Sequence, residues 1–489
     1  MTKKQIFLLL GPLLFLILWL IGTPEDIPPN AYLVLISTLW IALWWVTEAV
    51  PIPITSLLPI ILYPLLGIIP MNEVVVPFSK PIIFLFIGGF ILALAMEKWN
   101  LHRRIALTII SKVGTNLEQI VGGFVLATGF LSMWISNTAT TMMMIPIGFS
   151  IIQQFDDLDG ISKDKVNDFG KALLLAVAYS ASIGGMATLV GTPTNLIFAE
   201  AIKEFYNVEI AFDQWFRYGL PISLLLLAVC WWHIARNIFQ LHRVKFKGDK
   251  SIIDGQLAAL GKMTGEEKRV LIIFLIVAFA WISRKHILSP SIPGINDTHI
   301  ALIGALLLFM IPAPSKKASS LMDWETAIKL PWGILLLFGG AFAVAAGFEQ
   351  SGLTTWLGEQ LSLLSAIPYF LLLLFIITVV NFLTEITQNM ATCTLMMPVL
   401  AGLALAIDVH PYGLMVATCI AASCAFMLPF ATAPNAIVFG SGILEIRDMI
   451  RVGFLLNILS IIVITLFTYF LMPVIWDIDL TAFPDWLKN

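Results

Sequence analysis

The sequence predicts an all-α polytopic membrane protein: about eleven transmembrane helices plus two re-entrant hairpins, arranged as two inverted repeats. Three observations predict it. Of the 489 residues, 59% are hydrophobic and only 12% charged, with a mean hydropathy of +0.92, whereas a soluble domain carries about 25% charged residues. Apolar stretches of membrane-spanning length recur along the whole chain. Three blocks also recur in the same order: "FIGGFILALA" (86–95) with "LFGGAFAVAA" (337–346), "SNTATTMMMIP" (136–146) with "QNMATCTLMMP" (388–398), and "GTPTNLIF" (191–198) with "ATAPNAIVF" (431–439). Such order is the signature of an internal repeat.

Taken along the chain, residues 1–30 read as an N-terminal transmembrane helix. Lys3 and Lys4 could open a signal peptide, but "GTPEDIPP" offers no small-residue cleavage site and the apolar run is long enough to span. Residues 31–236 form the first repeat, 237–268 a polar and basic linker, 269–475 the second repeat, and 476–489 an extracytoplasmic tail. The linker charges read as a solvated connector, with contact to anionic lipid as the alternative. Cys230, Cys393, Cys419 and Cys424 lie in apolar segments without metal-ligand spacing and read as small buried hydrophobes.

Orientation follows from the basic residues. A cytoplasmic N-terminus and an external C-terminus place all 28 Lys and Arg inside except Lys80, Lys203, Arg217, Arg284, Lys285 and Lys488, as the positive-inside rule requires. The inside set includes Lys245, Lys247, Lys250, Lys316 and Lys317. After the first Gly-Gly block comes "NLHRRIALTIISKVG", which is basic; its counterpart "EQSGLTTWLGEQLS" (349–362) has no basic residue. Equivalent elements of opposite charge character belong on opposite faces, which makes the repeats inverted, as in secondary transporters.

Each repeat carries two polar, helix-breaking stretches in apolar surroundings: "SMWISNTATT" (132–141) and "GGMATLVGTPTN" (184–195), then "TEITQNMAT" (384–392) and "LPFATAPN" (428–435). Non-helical backbone at membrane depth survives only when buried in protein or lining a cavity. Helix–helix contact explains a lone Ser or Thr, but not four Asn- or Pro-centred stretches at matched positions. All four stretches fall in gaps without Lys or Arg. An anion held there depends on helix N-termini, amides, hydroxyls and a co-bound cation, and the hydroxyl and carbonyl oxygens suit a hard cation such as Na⁺. Two acids lie in the apolar region. Glu48, before "VPIP", reads as a structural polar contact, and Glu385 as either a hairpin brace or a contributor to a cation-site field.

These stretches, with the early "WWVTEAVPIPITSLLP" (44–59) and "ATAPNAIVFGSG", resemble the divalent anion/sodium symporter family, the Na⁺-coupled carriers of dicarboxylates and citrate, over about residues 30 to 475. The resemblance implies a homodimer with scaffold and transport domains, an elevator-type movement, and hairpin tips that face unwound helices. It places one Na⁺ near Ser132, Ser136, Asn137 and the Gly191 carbonyl, and a second near Thr384, Thr387, Asn389 and the Ala431 carbonyl. Substrate carboxylates would meet Asn137 and Thr138 on one side and Asn389 on the other, over a floor of Thr192, Pro193, Thr432 and Ala433. The chain departs from the family pattern at Gln388-Asn389-Met390, where Ser-Asn-Thr or Ser-Asn-Val is expected. Met390 lacks a hydroxyl, whereas Gln388 can donate from its amide; both count as substrate-site residues.

The function expected is therefore Na⁺-coupled symport of succinate, malate, fumarate, 2-oxoglutarate or citrate at the cell membrane. The partners are Na⁺, the anion, the lipid bilayer and a second copy, with no cofactor and no nucleic acid. A Na⁺-independent dicarboxylate exchanger of the same fold is the alternative, and sulfate stays among the candidate anions. An intramembrane enzyme is disfavoured, since no His-Glu-x-x-His helix, Gly-x-Ser-x-Gly elbow or intramembrane aspartate pair is visible.

Overall fold

Inside hydrocarbon, backbone N–H and C=O groups have only each other to bond, so spanning segments become helices. The computed structural model describes residues 3–114, 116–156, 163–244, 251–315 and 318–487. Lys245, Lys247, Lys250, Lys316, Lys317 and Lys488 lie outside the described residues. Among those described, 8 helical segments are long and apolar enough to cross a bilayer, and shorter apolar helices accompany them. Joining the helices that are split by a break gives the crossings 3–21, 29–47, 52–65, 71–98, 163–206, 212–238, 265–291, 297–310, 332–350, 411–439 and 446–476. Two helix pairs form the hairpins, and the shorter helices Leu101–Val113, Ser251–Ala259 and Leu353–Leu361 lie between the larger elements.

The first hairpin pairs Leu117–Ser132 with Asn137–Asp156; the second pairs Tyr369–Leu383 with Asn389–Ala406. The first arm of each has 16 and 15 residues, roughly 24 Å at 1.5 Å per residue, short of a hydrocarbon core of about 30 Å. Asn389–Ala406 meets the length and hydropathy of a span, yet it begins at a hairpin tip.

The packing of the matched Gly-Gly helices shows that the repeats are inverted. Lys80, which precedes helix Pro81–Lys98, shares a cavity with Glu349, near the end of helix Trp332–Gln350. Midway, the rings of Phe86 and Phe338 lie 4.8 Å apart. The matched Gly-Gly helices therefore run antiparallel. Their following arms dock at opposite ends of the bundle. Arg104 of Leu101–Val113 pairs with Glu267 at 3.1 Å and bonds the Gly261 carbonyl. Trp356 of Leu353–Leu361 donates to the Asp26 carbonyl between the first two helices.

Glycines let these elements approach. A Cβ on Gly184 would sit 2.2 Å from the Gly129 carbonyl oxygen, so the first hairpin and the helix beside it touch backbone to backbone. The same contact recurs across the repeat at the helix breaks: a Cβ on Gly219 would lie 2.7 Å from the Met186 carbonyl, and one on Gly453 2.2 Å from that of Phe426. All four cysteines are buried and free.

Gly184→Ala should therefore destabilise the protein by about 1–3 kcal/mol, the usual cost of overpacking. Gly255→Ala, where a Cβ meets open space, should cost nothing. Thermal unfolding of the two purified variants checks the pair, and equal stability would contradict the close approach.

Candidate functional site

The hairpin tips follow from local chemistry. In the first, helix Leu117–Ser132 begins with an Asn116–Gln119 capping box. Its partner is capped by Ser136, whose hydroxyl accepts the Ala139 N–H, a normal serine N-cap role. In the second, Gln388 holds the cap position with no side-chain cap bond. The two breaks are equally regular. Helix Lys163–Gly185 stops, and Pro193–Tyr206 restarts after Thr192; Pro411–Ala422 stops, and Ala433–Phe439 restarts after Thr432, whose hydroxyl accepts the Asn435 N–H. Proline in the first helical turn removes a donor that would have no partner there.

Unwound backbone inside a membrane needs partners, and buried asparagines supply several of them, with Asn381 donating to the Cys424 carbonyl at 2.8 Å beside one asparagine at the matched position of each repeat. The Asn195 amide donates to the carbonyls of Thr188 (2.7 Å), Gly185 and Met186. The Asn435 amide donates to Ala425 (3.0 Å) and Leu428 (3.1 Å). Sequence reading marked both as helix breakers; they are the clamps of the breaks.

The two tips and two breaks converge on one cavity of about 200 Å³. Ser136, Asn137, Thr138, Gly191, Thr192 and Pro193 line it from the first repeat, and Gln388, Asn389, Met390, Ala431, Thr432 and Ala433 from the second. Every expected substrate-site residue is there. Among the described residues no acidic or basic side chain lines the cavity. Its polarity comes from amides, hydroxyls and the first turns of helices 137–156, 193–206 and 389–406, whose free N–H groups and dipoles favour an anion.

Behind each tip lies an oxygen-rich set with more acceptors than hydrogens. The Ser132 hydroxyl lies 2.7 Å from both Asn137 Oδ1 and the Ala181 carbonyl. The Thr384 hydroxyl lies 2.8 Å from both Asn389 Oδ1 and the Ala422 carbonyl. One hydroxyl hydrogen serves only one of each pair. In the first repeat, a Cβ on Gly185 would lie 2.6 Å from Asn137 Oδ1 and 3.0 Å from the Gly191 carbonyl; one on Gly191 would lie 2.5 Å from the Gly185 carbonyl and 3.0 Å from that of Met133. Crowded hydroxyl, amide and carbonyl oxygens are chemically of the kind that suits a small hard cation.

Three expected ion-site residues, Ser132, Thr384 and Thr387, do not line the cavity; the first two belong to the oxygen sets behind the tips. The Thr387 hydroxyl donates to the Leu383 carbonyl and shares a hydrogen bond with Thr392. Glu385 resolves as a brace: buried, it accepts from the N–H groups of Phe426 (2.7 Å), Met427 and Leu428 and from Asn457 Nδ2 (2.7 Å). Glu48 accepts from Gln388 Nε2 at 2.6 Å, a polar contact whose partner lies 340 residues away. Ser182 was missed. It sits in a helix with no break signal, yet it lines the cavity and its buried hydroxyl has no partner.

Broken helices and hairpins meeting in a mid-membrane cavity define a secondary transporter rather than an enzyme. The particular family follows from comparison. Residues 2–476 match the family model described as the sodium:sulfate symporter transmembrane region, and the chain belongs to that family. It is 47% identical over 479 residues to the sodium-dependent dicarboxylate transporter SdcS of Staphylococcus saprophyticus, covering 97% of this chain and 92% of that one. It is 46% identical to the SdcS of Staphylococcus aureus strain MRSA252, with 98% and 93% covered. Among solved structures, the fold is similar to MtrF of Neisseria gonorrhoeae (TM-score 0.58, 12% identity, 82% and 84% covered) and to the YdaH transporter of Alcanivorax borkumensis (TM-score 0.59, 13% identity, 82% and 88% covered).

Glu385→Ala leaves three backbone N–H groups and an asparagine amide without their acceptor. At about 1–3 kcal/mol for each orphaned buried group, it should be strongly destabilising, with Glu385→Gln intermediate because one acceptor oxygen remains. Thermal unfolding in detergent checks the order; an alanine variant as stable as wild type would remove the brace.

Proposed function

We propose that this transporter carries dicarboxylates of the succinate, malate, fumarate and 2-oxoglutarate type, with citrate a further candidate, by symport with Na⁺. The observation that carries the reading is the cavity itself. It is built for an anion, contains no basic side chain, and adjoins two oxygen sets with surplus acceptors. A dianion there lacks a protein counter-charge, and co-bound cations supply it. The relatives named sodium-dependent dicarboxylate transporter support the same pairing.

In this reading the first Na⁺ takes Ser132, Ser136, Asn137 and the Gly191 carbonyl. The second takes Thr384, Asn389 and the Ala431 carbonyl, with Thr387 a more distant support through its bond to Thr392. Asn137 and Thr138 bind one carboxylate and Asn389 the other, with Gln388, Met390, Thr192, Pro193, Thr432 and Ala433 completing the wall. The hairpins and broken helices move as a transport domain against a scaffold made of the remaining helices, in a homodimer. The basic arm 101–113 faces the cytoplasm, which puts the N-terminus inside and the C-terminus outside the cell membrane.

Two experiments test this. Ligands that bind only the folded state raise its stability, so Na⁺ should raise the melting temperature above that in K⁺ or choline, and succinate should add to the shift mainly with Na⁺ present. Equal stabilisation by succinate in choline would favour the exchanger instead. Asn137→Ala and Asn389→Ala should each abolish uptake into vesicles while preserving expression, because each amide serves both an ion and a carboxylate. Near-normal uptake by either variant would overturn the tip assignment.

A further inference from the structure

The two hairpin tips match in sequence but differ in what their first residue does. Ser136 turns back and caps its own helix. Gln388, at the matched position, makes no cap bond. Its longer side chain reaches out and donates from Nε2 to Glu48 Oε1 at 2.6 Å. Glu48 is set up for this contact. It ends helix Pro29–Thr47 in the left-handed region, at φ 47°, just before the Pro51-Ile52-Pro53 bend. A non-glycine residue held there signals a position fixed by its surroundings.

Around the contact lies a cleft of about 380 Å³, lined by Glu48, the Pro51–Pro53 bend, Ile334, Gln388 and Met390. Ile334, Gln388 and Met390 also line the central cavity, so one wall, with Gln388 in it, divides the cleft from the site. Among the described residues no Lys or Arg pairs with Glu48. Its charge stands uncompensated one side chain away from the proposed anion site.

We propose that Glu48 is a specificity-determining residue that filters substrates by charge, acting through Gln388. Its carboxylate engages the amide that the second tip would otherwise offer to a substrate carboxylate. It also places a fixed negative charge beside the cavity, and each further charge on an anion meets it. A dianion with two carboxylates satisfies the two tips and is tolerated; a trianion carries the same contacts plus one more unit of repulsion. The discrimination expected is roughly tenfold per added charge, which corresponds to about 1.4 kcal/mol of repulsion. The filter rests on the reading of the cavity as the dicarboxylate site.

The test is competition against radiolabelled succinate uptake in proteoliposomes at slightly alkaline pH, comparing unlabelled succinate with the trianions citrate and tricarballylate. The readout is the ratio of trianion to dianion half-inhibitory concentrations, which a purely structural role would not move. Glu48→Gln keeps an oxygen that accepts from Gln388 and removes only the charge; it should lower the ratio about tenfold. Glu48→Asp keeps the charge and should hold the wild-type ratio. Glu48→Ala should relax the ratio as Glu48→Gln does and serves if that variant is not obtained folded. An unchanged ratio in the charge-removing variants, or a ratio relaxed equally by Glu48→Asp, would overturn the filter. Absence of Na⁺-dependent succinate uptake in the wild type would instead overturn the transport reading, so the two failures are distinct.

Discussion

Everything in this protein depends on keeping interrupted backbone satisfied in the middle of a membrane. Each unpaired N–H or C=O there costs several kcal/mol, and each repeat interrupts a helix at the same place. The solution is the same twice. A buried asparagine, Asn195 or Asn435, spends its amide on the loose carbonyls. A glycine on the following helix, Gly219 or Gly453, lets the break lie directly against it. Only then do the restarted helices present their first turns to a common cavity.

The repeats are alike in framework and unlike in detail. Glu385 takes three backbone N–H groups at the second break, while its counterpart in the aligned blocks is Met133. At the first break, Thr188 does comparable work: it donates to the Met133 carbonyl and accepts the Gly191 N–H. The first oxygen set is crowded through Gly185 and Gly191; the second has Ala425 and Ala431 at those places. A carboxylate beside only one of the two sets makes them electrostatically unequal, so two proposed cations would not bind with equal affinity.

Much of this was legible in the sequence, for physical reasons that can be named. Prolines and asparagines inside apolar runs marked the breaks, because no continuous helix tolerates them cheaply, and the paired blocks located both tips. The individual cavity-lining residues came from the family resemblance that those stretches carry. What stayed hidden depends on distance along the chain or on local competition. Asn389–Ala406 is apolar enough to cross, and only its partner arm shows that it turns back. Thr387 carries the right chemistry but spends its hydroxyl on its own helix end. Ser182 lies in unbroken helix, and the Glu48–Gln388 bond joins segments that no local pattern connects.

The geometry also explains why the site is built at tips rather than along continuous helices. Asn137 and Asn389 each stand at a helix start, line the cavity, and hold Oδ1 beside a buried hydroxyl on the other side. A residue in mid-helix faces one neighbour; a residue at a tip faces two. On the proposed reading, occupation of the oxygen set fixes the amide whose other face meets the anion, and the anion fixes it in return. Such coupling is reciprocal by thermodynamic necessity. With no lysine or arginine to hold the dianion alone, weak binding in the absence of the cation is a consequence of the composition of the cavity, and the coupling of the two solutes needs no separate device.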